Sequence, residues 1–396
     1  MGRIYFFPSQ TVVHNDKVFP VILALAHQGH HVETVILSGE TAFSLMGDDA
    51  YAQWLRTLTR VRYCAFDRAV TVMQRLIVRI RFARLLLALV VRRGYVAFFD
   101  ARPASQPVRM LSRLAKRNGT SVVYTAWYCD PLRTIDWKAM LADPERQRRL
   151  RKVGSPSKEV PPIASATTVL CYHPDEVAKY DQALTSHVRL LPHPKLQPWW
   201  RAFMAARPPH YDQVALSRAE RWVAVFLTYR GNYIFREDSD ADVLLAEILQ
   251  AVRRVFPDVL IAVKTKVNVA RWHEEWFTEI VRRHGDAQTI FTTTPVAFLA
   301  ERAIAGISTG HSTAQFEFMA STAPWVEYCR YSDFWTSIFP QKTYTPQYGG
   351  TWVETPDALE GVLRNLERHR GDRKRYEEIL AFREQPLSLD FFRPPA

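Results

Sequence analysis

The stretch Ala303–Tyr328, AIAGISTGHSTAQFEFMASTAPWVEY, constrains the fold more than any other part of the chain. Ile304–Ile307 is an apolar run of strand length, Ser308-Thr309-Gly310-His311 is a polar turn, and the residues that follow predict a helix. Ser312 or Thr313 stands at the N-cap position, where unpaired backbone N–H groups and the positive helix end meet at one point. Glu317 falls on the first turns of that helix. Pro324 ends it, and Trp325–Tyr328 predicts the next buried strand. A Ser-Thr pair before a helix is often a cap and nothing more, so the neighbouring elements decide what such a turn is for.

Strands and helices alternate through the rest of the chain. Arg3–Phe7 predicts a strand, Pro8–Lys17 a polar loop, Val18–Gln28 a helix closed by Gly29, and His31–Leu37 a second strand. Further strands are expected at Tyr95–Phe99, Ser121–Tyr128, Ala166–Cys171 and His187–Leu191, with helices at Val108–Arg117 and Asp175–Gln182 between them. Tyr51–Arg93 is less regular and mostly helical. Beyond a proline-rich stretch containing Trp199 and Trp200 come strands at Trp222–Leu227, Val259–Val263 and Thr289–Phe291, with helices at Ala241–Val255, Ala270–His284 and Val296–Ala303. Glu354-Thr355-Pro356 caps a last pair of helices over Asp357–Arg383. This alternation implies an α/β protein with parallel sheets, whose ligands gather at the C-terminal ends of the strands. At 396 residues two domains are expected: 1–195, a linker over 196–215, and 216–396.

Composition narrows the partners. Fifty-two Lys and Arg against 40 Asp and Glu leave a net charge of +12, which suits nucleotide phosphates, anionic lipid head groups or nucleic acid. The four cysteines, Cys64, Cys129, Cys171 and Cys329, are widely spaced, so neither a zinc site nor a disulfide framework is indicated, and a reducing cytoplasm fits. The apolar run in MGRIYFFPSQ is too brief for a signal peptide, and no run of 18 uncharged apolar residues is present. Between Val70 and Gly94, Arg75, Arg79, Arg81, Arg84, Arg92 and Arg93 punctuate an apolar sequence. That pattern fits a helix lying on an anionic membrane surface, and equally a core helix with snorkelling arginines.

In the first domain, the loop after the first strand lacks the G-x-G-x-x-G of a dinucleotide site, against a nicotinamide or flavin enzyme. Its His14, Asp16 and Lys17 could touch substrate, while Asn15 or Asp16 could equally cap the following helix. Asp130 follows the strand Ser121–Tyr128 directly, where a parallel sheet presents its active site, and it also precedes Pro131 as a turn residue would. In the second domain three strand ends bring polar residues to one sheet edge: Thr228-Tyr229-Arg230, Lys264-Thr265-Lys266 and His311-Ser312-Thr313. Lys264 and Lys266 share a face if their strand continues, a paired positive charge suited to a diphosphate. Asp238-Ser239-Asp240 has the letters of a metal-binding D-x-D, but its place before a helix reads as capping, and no metal is expected.

With Ser312-Thr313 and Glu317 in this order after the polar turn, the C-terminal half resembles GT-B glycosyltransferases, especially those of bacterial capsule and surface-polysaccharide biosynthesis. The resemblance implies two Rossmann-like domains facing across a cleft. It implies a nucleotide-sugar donor held by Thr228, Tyr229, Arg230, Lys264, Lys266, His311, Ser312, Thr313 and Glu317, without a cofactor or metal. The acceptor is then a glycan or lipid-linked glycan, the enzyme is cytoplasmic or peripheral on the inner face of the membrane, and no nucleic acid is expected. Similar transferases carry K-x-H-P after the second strand; here Lys264 keeps the lysine and Lys266 replaces the histidine. The literal His193-Pro194 belongs to the first domain. Donor phosphates in the second domain leave the acid–base chemistry to the first, with Asp130 as general base and His14, Asp16 and Glu40 next in order. Two other readings fit the same residues: a nonhydrolysing sugar-nucleotide epimerase, using Glu317 with His14, Asp16 and Asp130, and a non-catalytic binder of anionic surfaces.

Overall fold

The computed structural model describes residues 3–8, 12–37, 57–64, 71–91, 95–99, 106–117, 121–125, 167–171, 187–191, 194–206, 213–228, 230, 232, 234–237, 239–264, 267–292 and 294–370. Among these, residues up to Trp200 belong to one compact unit and those from Arg201 to another.

The first unit is a sheet of seven parallel strands: β1 (Arg3–Phe7), β2 (His31–Ile36), β3 (Arg60–Tyr63), β4 (Tyr95–Phe99), β5 (Ser121–Thr125), β6 (Thr168–Cys171) and β7 (His187–Leu190). Their order is β3-β2-β1-β4-β5-β6-β7. Successive side chains of a strand point to opposite faces, and β1 shows both faces covered. Ile4 and Phe6 pack with Val18, Val21, Ile22 and Leu25, the i, i+3, i+4, i+7 stripe of α1 (Val12–His27). Tyr5 and Phe7 pack on the other face with Leu85 and Leu89 of α2 (Val72–Val91) and Leu111 of α3 (Gln106–Arg117).

Three expectations change here. The helix after β1 starts at Val12, so His14 and Asp16 fall within it and Pro20 is interior, where a start at Val18 would have left Pro20 in the first turn. β3, with the sequence RVRY, sits at the sheet edge in a stretch expected to be mostly helical. The expected linker is partly helical, with α4 at Pro198–Ala206 and α5 at Gln213–Arg218.

The second unit carries six parallel strands: β8 (Trp222–Phe226), β9 (Leu260–Lys264), β10 (Thr289–Thr292), β11 (Ala303–Ser308), β12 (Trp325–Tyr328) and β13 (Thr351–Val353), in the order β10-β9-β8-β11-β12-β13. Between them run α6 (Asp240–Val255), α7 (Val267–His284), α8 (Val296–Arg302), α9 (Gln315–Ala320) and α10 (Asp333–Ile338), and α11 (Pro356–Arg364) follows β13. Central strands buried on both faces read as continuous apolar runs, as WVAVF of β8 does. Gly306 has a packing reason: a Cβ there would stand 2.6–2.7 Å from the rings of Trp325 and Phe318, which close on the strand together with Phe226.

In both units the chain winds outward from a central strand, first to one side and then to the other. Strand order therefore reverses between β1 and β4 in the first unit and between β8 and β11 in the second. At such a reversal the connections leave in opposite directions and open a crevice at the C-terminal strand ends.

Candidate functional site

In the second unit that crevice lies beside the residues the sequence singled out. Parallel register places Thr292, Lys264, Phe226, Ser308, Glu327 and Trp352 at one level across the C-terminal edge. Lys264 is half-buried at the end of β9, next to Phe226 on the central strand. Beyond the edge, the Thr309 N–H donates to the Phe226 carbonyl at 3.1 Å, and the Thr309 hydroxyl accepts the Thr228 N–H at 2.8 Å. The loops leaving β8 and β11 are thereby tied across the reversal.

The turn that follows needs Gly310. Its φ of +145° lies where side chains are rarely accommodated, and a Cβ would run into Ile234 Cδ1. His311 is half-buried, its ring edge-on to Tyr344 at 5.5 Å between centroids.

Ser312 and Thr313 are not the N-cap. That position is Ala314, without a side-chain cap bond. The helix opens instead with tight i→i+3 bonds, Gln315 N–H to Ser312 O, Phe316 N–H to Thr313 O and Glu317 N–H to Ala314 O, at 3.1–3.3 Å. The donors a cap would serve are already used. Ser312 Oγ accepts the Ala314 N–H at 3.3 Å. The N–H groups of Ser312 and Thr313 have no acceptor among the described residues. Backbone N–H groups at the start of a helix favour an anion. Glu317 is buried at 4% exposure, inside a six-residue helix whose every residue is buried.

Beneath this turn sits a carboxylate that the sequence reasoning passed over. Glu327, fully buried on β12, accepts the hydroxyls of Tyr331 at 2.6 Å and Thr343 at 2.8 Å. The Thr345 hydroxyl lies 2.5 Å from the same carboxylate and 3.0 Å from Gln315 Oε1, one proton between two acceptors. Burial, and then the charge of Glu327, push the Tyr331 hydroxyl well above the usual phenol range. Tyr331 stays protonated and donates to Glu327. A charged letter inside the apolar strand WVEY was the signal that could have found it.

The remaining candidates divide. Arg230 is exposed and committed: it pairs with Asp242 at 2.5 Å and lies over the Trp276 ring at 5.6 Å, while Asp242 also accepts the Trp276 N–H at 2.8 Å. Asp240 accepts the N–H groups of Arg236 and Glu237, so it closes the turn before α6, while Ser239 stands at the N-cap without a side-chain cap bond. No group of three metal-ligating side chains occurs among the described residues. Tyr229, Lys266, Glu40, Asp130, Asp238 and His193 lie outside the described residues, as do the side chains of His14 and Asp16.

No protein-family model matches the chain, and no curated protein sequence does. Solved structures do. A Listeria monocytogenes protein assigned as a UDP-N-acetylglucosamine 2-epimerase is similar with a TM-score of 0.55 at 10% identity, over 98% of this chain and 93% of that one. The UDP-GlcNAc 2-epimerase of Methanocaldococcus jannaschii, solved with UDP-GlcNAc and UDP, is similar at 0.52 and 12%, over 96% and 99%. That of Neisseria meningitidis, bound to UDP-GlcNAc, is similar at 0.51 and 11%, over 97% and 95%. Identity this low speaks for architecture alone. The chain is an α/β protein of two Rossmann-like, parallel-sheet units with the GT-B fold.

Proposed function

We infer that this chain is a nucleotide-sugar-dependent enzyme, and specifically a metal-independent glycosyltransferase that passes a sugar to a cell-surface glycan or glycolipid. The observation that carries the reading is the pair of N–H groups at Ser312 and Thr313 that find no acceptor among the described residues, beside the strand reversal where Lys264 also ends its strand. Backbone donors and a lysine offset the charge that develops on a leaving nucleoside diphosphate. Asp240 and Asp242, the described acids of the D-S-D neighbourhood, are held by protein donors. UDP-sugars are the first ligands to try, because two neighbours of the same fold were solved with UDP-GlcNAc.

In this reading Asp130 takes the proton of the acceptor hydroxyl as it attacks the anomeric carbon, with His14, Asp16 and Glu40 as successive substitutes. Asp130→Asn is expected to cut turnover about 100-fold while leaving nucleotide affinity nearly unchanged. Retention of more than about a tenth of wild-type turnover would pass the role to His14 or Asp16.

A sugar-nucleotide epimerase is the second reading, favoured by the names of the three structural neighbours. Product analysis separates the two. A transferase releases nucleotide in step with an added acceptor, whereas an epimerase interconverts sugar nucleotides with no acceptor present.

A further inference from the structure

Helix α2 carries two apolar faces, and the first unit uses only one. Helical residues advance by about 100° each, so Phe82, Leu85, Leu86 and Leu89 fall on one side, and these pack into the core of the first unit. Met73, Leu76, Ile80 and Leu87 fall on the other side and are exposed by 64%, 50%, 45% and 62%. Val72 and Ile77 beside them are exposed as well. Large apolar side chains exposed singly are ordinary, but a continuous stripe along one helix marks a surface that is covered in use.

The borders of the stripe say what covers it. Arg79 lies along one edge and Arg84 and Arg81 along the other, all exposed, and none of the three makes an ion pair among the described residues. Between Asp67 and Asp100 the chain has no acidic residue. A helix with long cationic side chains on both flanks of an aliphatic stripe lies in the plane of an anionic bilayer: the stripe enters the acyl boundary while the guanidinium groups meet head-group phosphates. It does not cross, since no helix among the described residues is long and apolar enough to do so. A second copy is a poor occupant, because a two-fold contact on this face sets arginine against arginine. Nucleic acid would match the charge and leave the aliphatic stripe in water.

The geometry points to α2 as a docking surface for anionic phospholipid, with Met73, Leu76, Ile80 and Leu87 inserted and Arg79, Arg81 and Arg84 on lipid phosphates. The inference is independent of the reaction the enzyme performs.

The test is co-sedimentation of the full-length chain with vesicles of phosphatidylcholine alone or mixed with phosphatidylglycerol. Leu76→Gln with Ile80→Gln, and Arg79→Gln with Arg84→Gln, change only exposed side chains, and an unchanged thermal midpoint confirms their fold. Binding is expected on the anionic vesicles at low salt and should be lost at about 1 M salt, where charges are screened beyond ~3 Å. Each paired variant should bind about tenfold more weakly or less. Equal binding to both vesicle types, or no binding to anionic vesicles at low salt, overturns the proposal. So does an apolar-pair variant that binds vesicles normally but changes from dimer to monomer, which would make the face a contact between copies. Displacement from vesicles by duplex nucleic acid at equal phosphate concentration would assign the arginines to that polymer instead.

Discussion

The hydroxyl of Thr309 accepts the backbone N–H of Thr228 at 2.8 Å, joining the two loops that leave the sheet where its strand order reverses. Thr309 is fully buried, so this bond is made away from water. Thr309→Val keeps the side-chain shape and leaves the Thr228 donor unpaired. It should cost about 1–3 kcal/mol in urea unfolding and weaken nucleotide binding, since the turn it fixes carries the proposed phosphate donors. A variant with wild-type affinity and wild-type stability would show that the tie is incidental.

Gly310→Ala tests the same turn from the backbone side. A side chain at φ +145° is strained, and here it also meets Ile234. The expected loss is about 2 kcal/mol or more in thermal or urea unfolding.

Glu327 is expected to matter for stability and for the turn above it. Glu327→Ala strips the acceptor from the Tyr331 and Thr343 hydroxyls in a buried setting and should cost about 3 kcal/mol or more. Glu327→Gln keeps an acceptor oxygen and should recover part of that. Equal unfolding midpoints for the two variants would contradict the hydrogen-bond account.

Asp286 gives a pH signature. The Arg253 guanidinium grips its carboxylate at 2.5 and 2.8 Å, with help from Thr289 and the Gln288 N–H, and holds it down to about 2 from an ordinary 3.8. A lowered folded-state value means stability present above pH 4 and lost as pH falls toward 2. The side chain is 49% exposed, so water screens the pair and its worth is about 0.5–1 kcal/mol. Asp286→Asn should therefore melt below the wild type at pH 7, with the gap closing by about pH 2. A gap unchanged over that range would mean that the pair contributes nothing through its charge.

The elements legible in the sequence are those whose signal is local. β4 and β12 match their expected bounds because YVAFF is an apolar run followed by Asp100, and WVEY, apolar but for Glu327, begins directly after Pro324. β3 was hidden because RVRY alternates charge and hydrophobe over only four residues, and its partner β2 lies far back in the chain. The polar stretch His14–Lys17 reads as loop until tertiary packing of the Val18–Leu25 face extends the helix back to Val12. At the site, the order of Lys264, His311, Ser312 and Thr313 was readable, since strand ends follow from periodicity. The i→i+3 bonds that replace capping at Ala314, and the hydroxyls that gather on Glu327 from Tyr331, Thr343 and Thr345, depend on contacts no single window of sequence contains.

The most direct test of the central claim is thermal stabilisation by nucleotide diphosphates and their sugars, read on the wild type and on Lys264→Ala and Ser312→Ala. Ligand bound only to the folded state raises the melting point as its concentration passes Kd. UDP-sugars are expected to raise the wild-type Tm, and each variant is expected to bind about 1–3 kcal/mol more weakly and so need correspondingly more ligand for the same rise. No stabilisation of the wild type by UDP-, GDP- or CMP-sugars, or an equal rise in both variants with the fold intact, would contradict the assignment of this strand reversal as the donor-phosphate site.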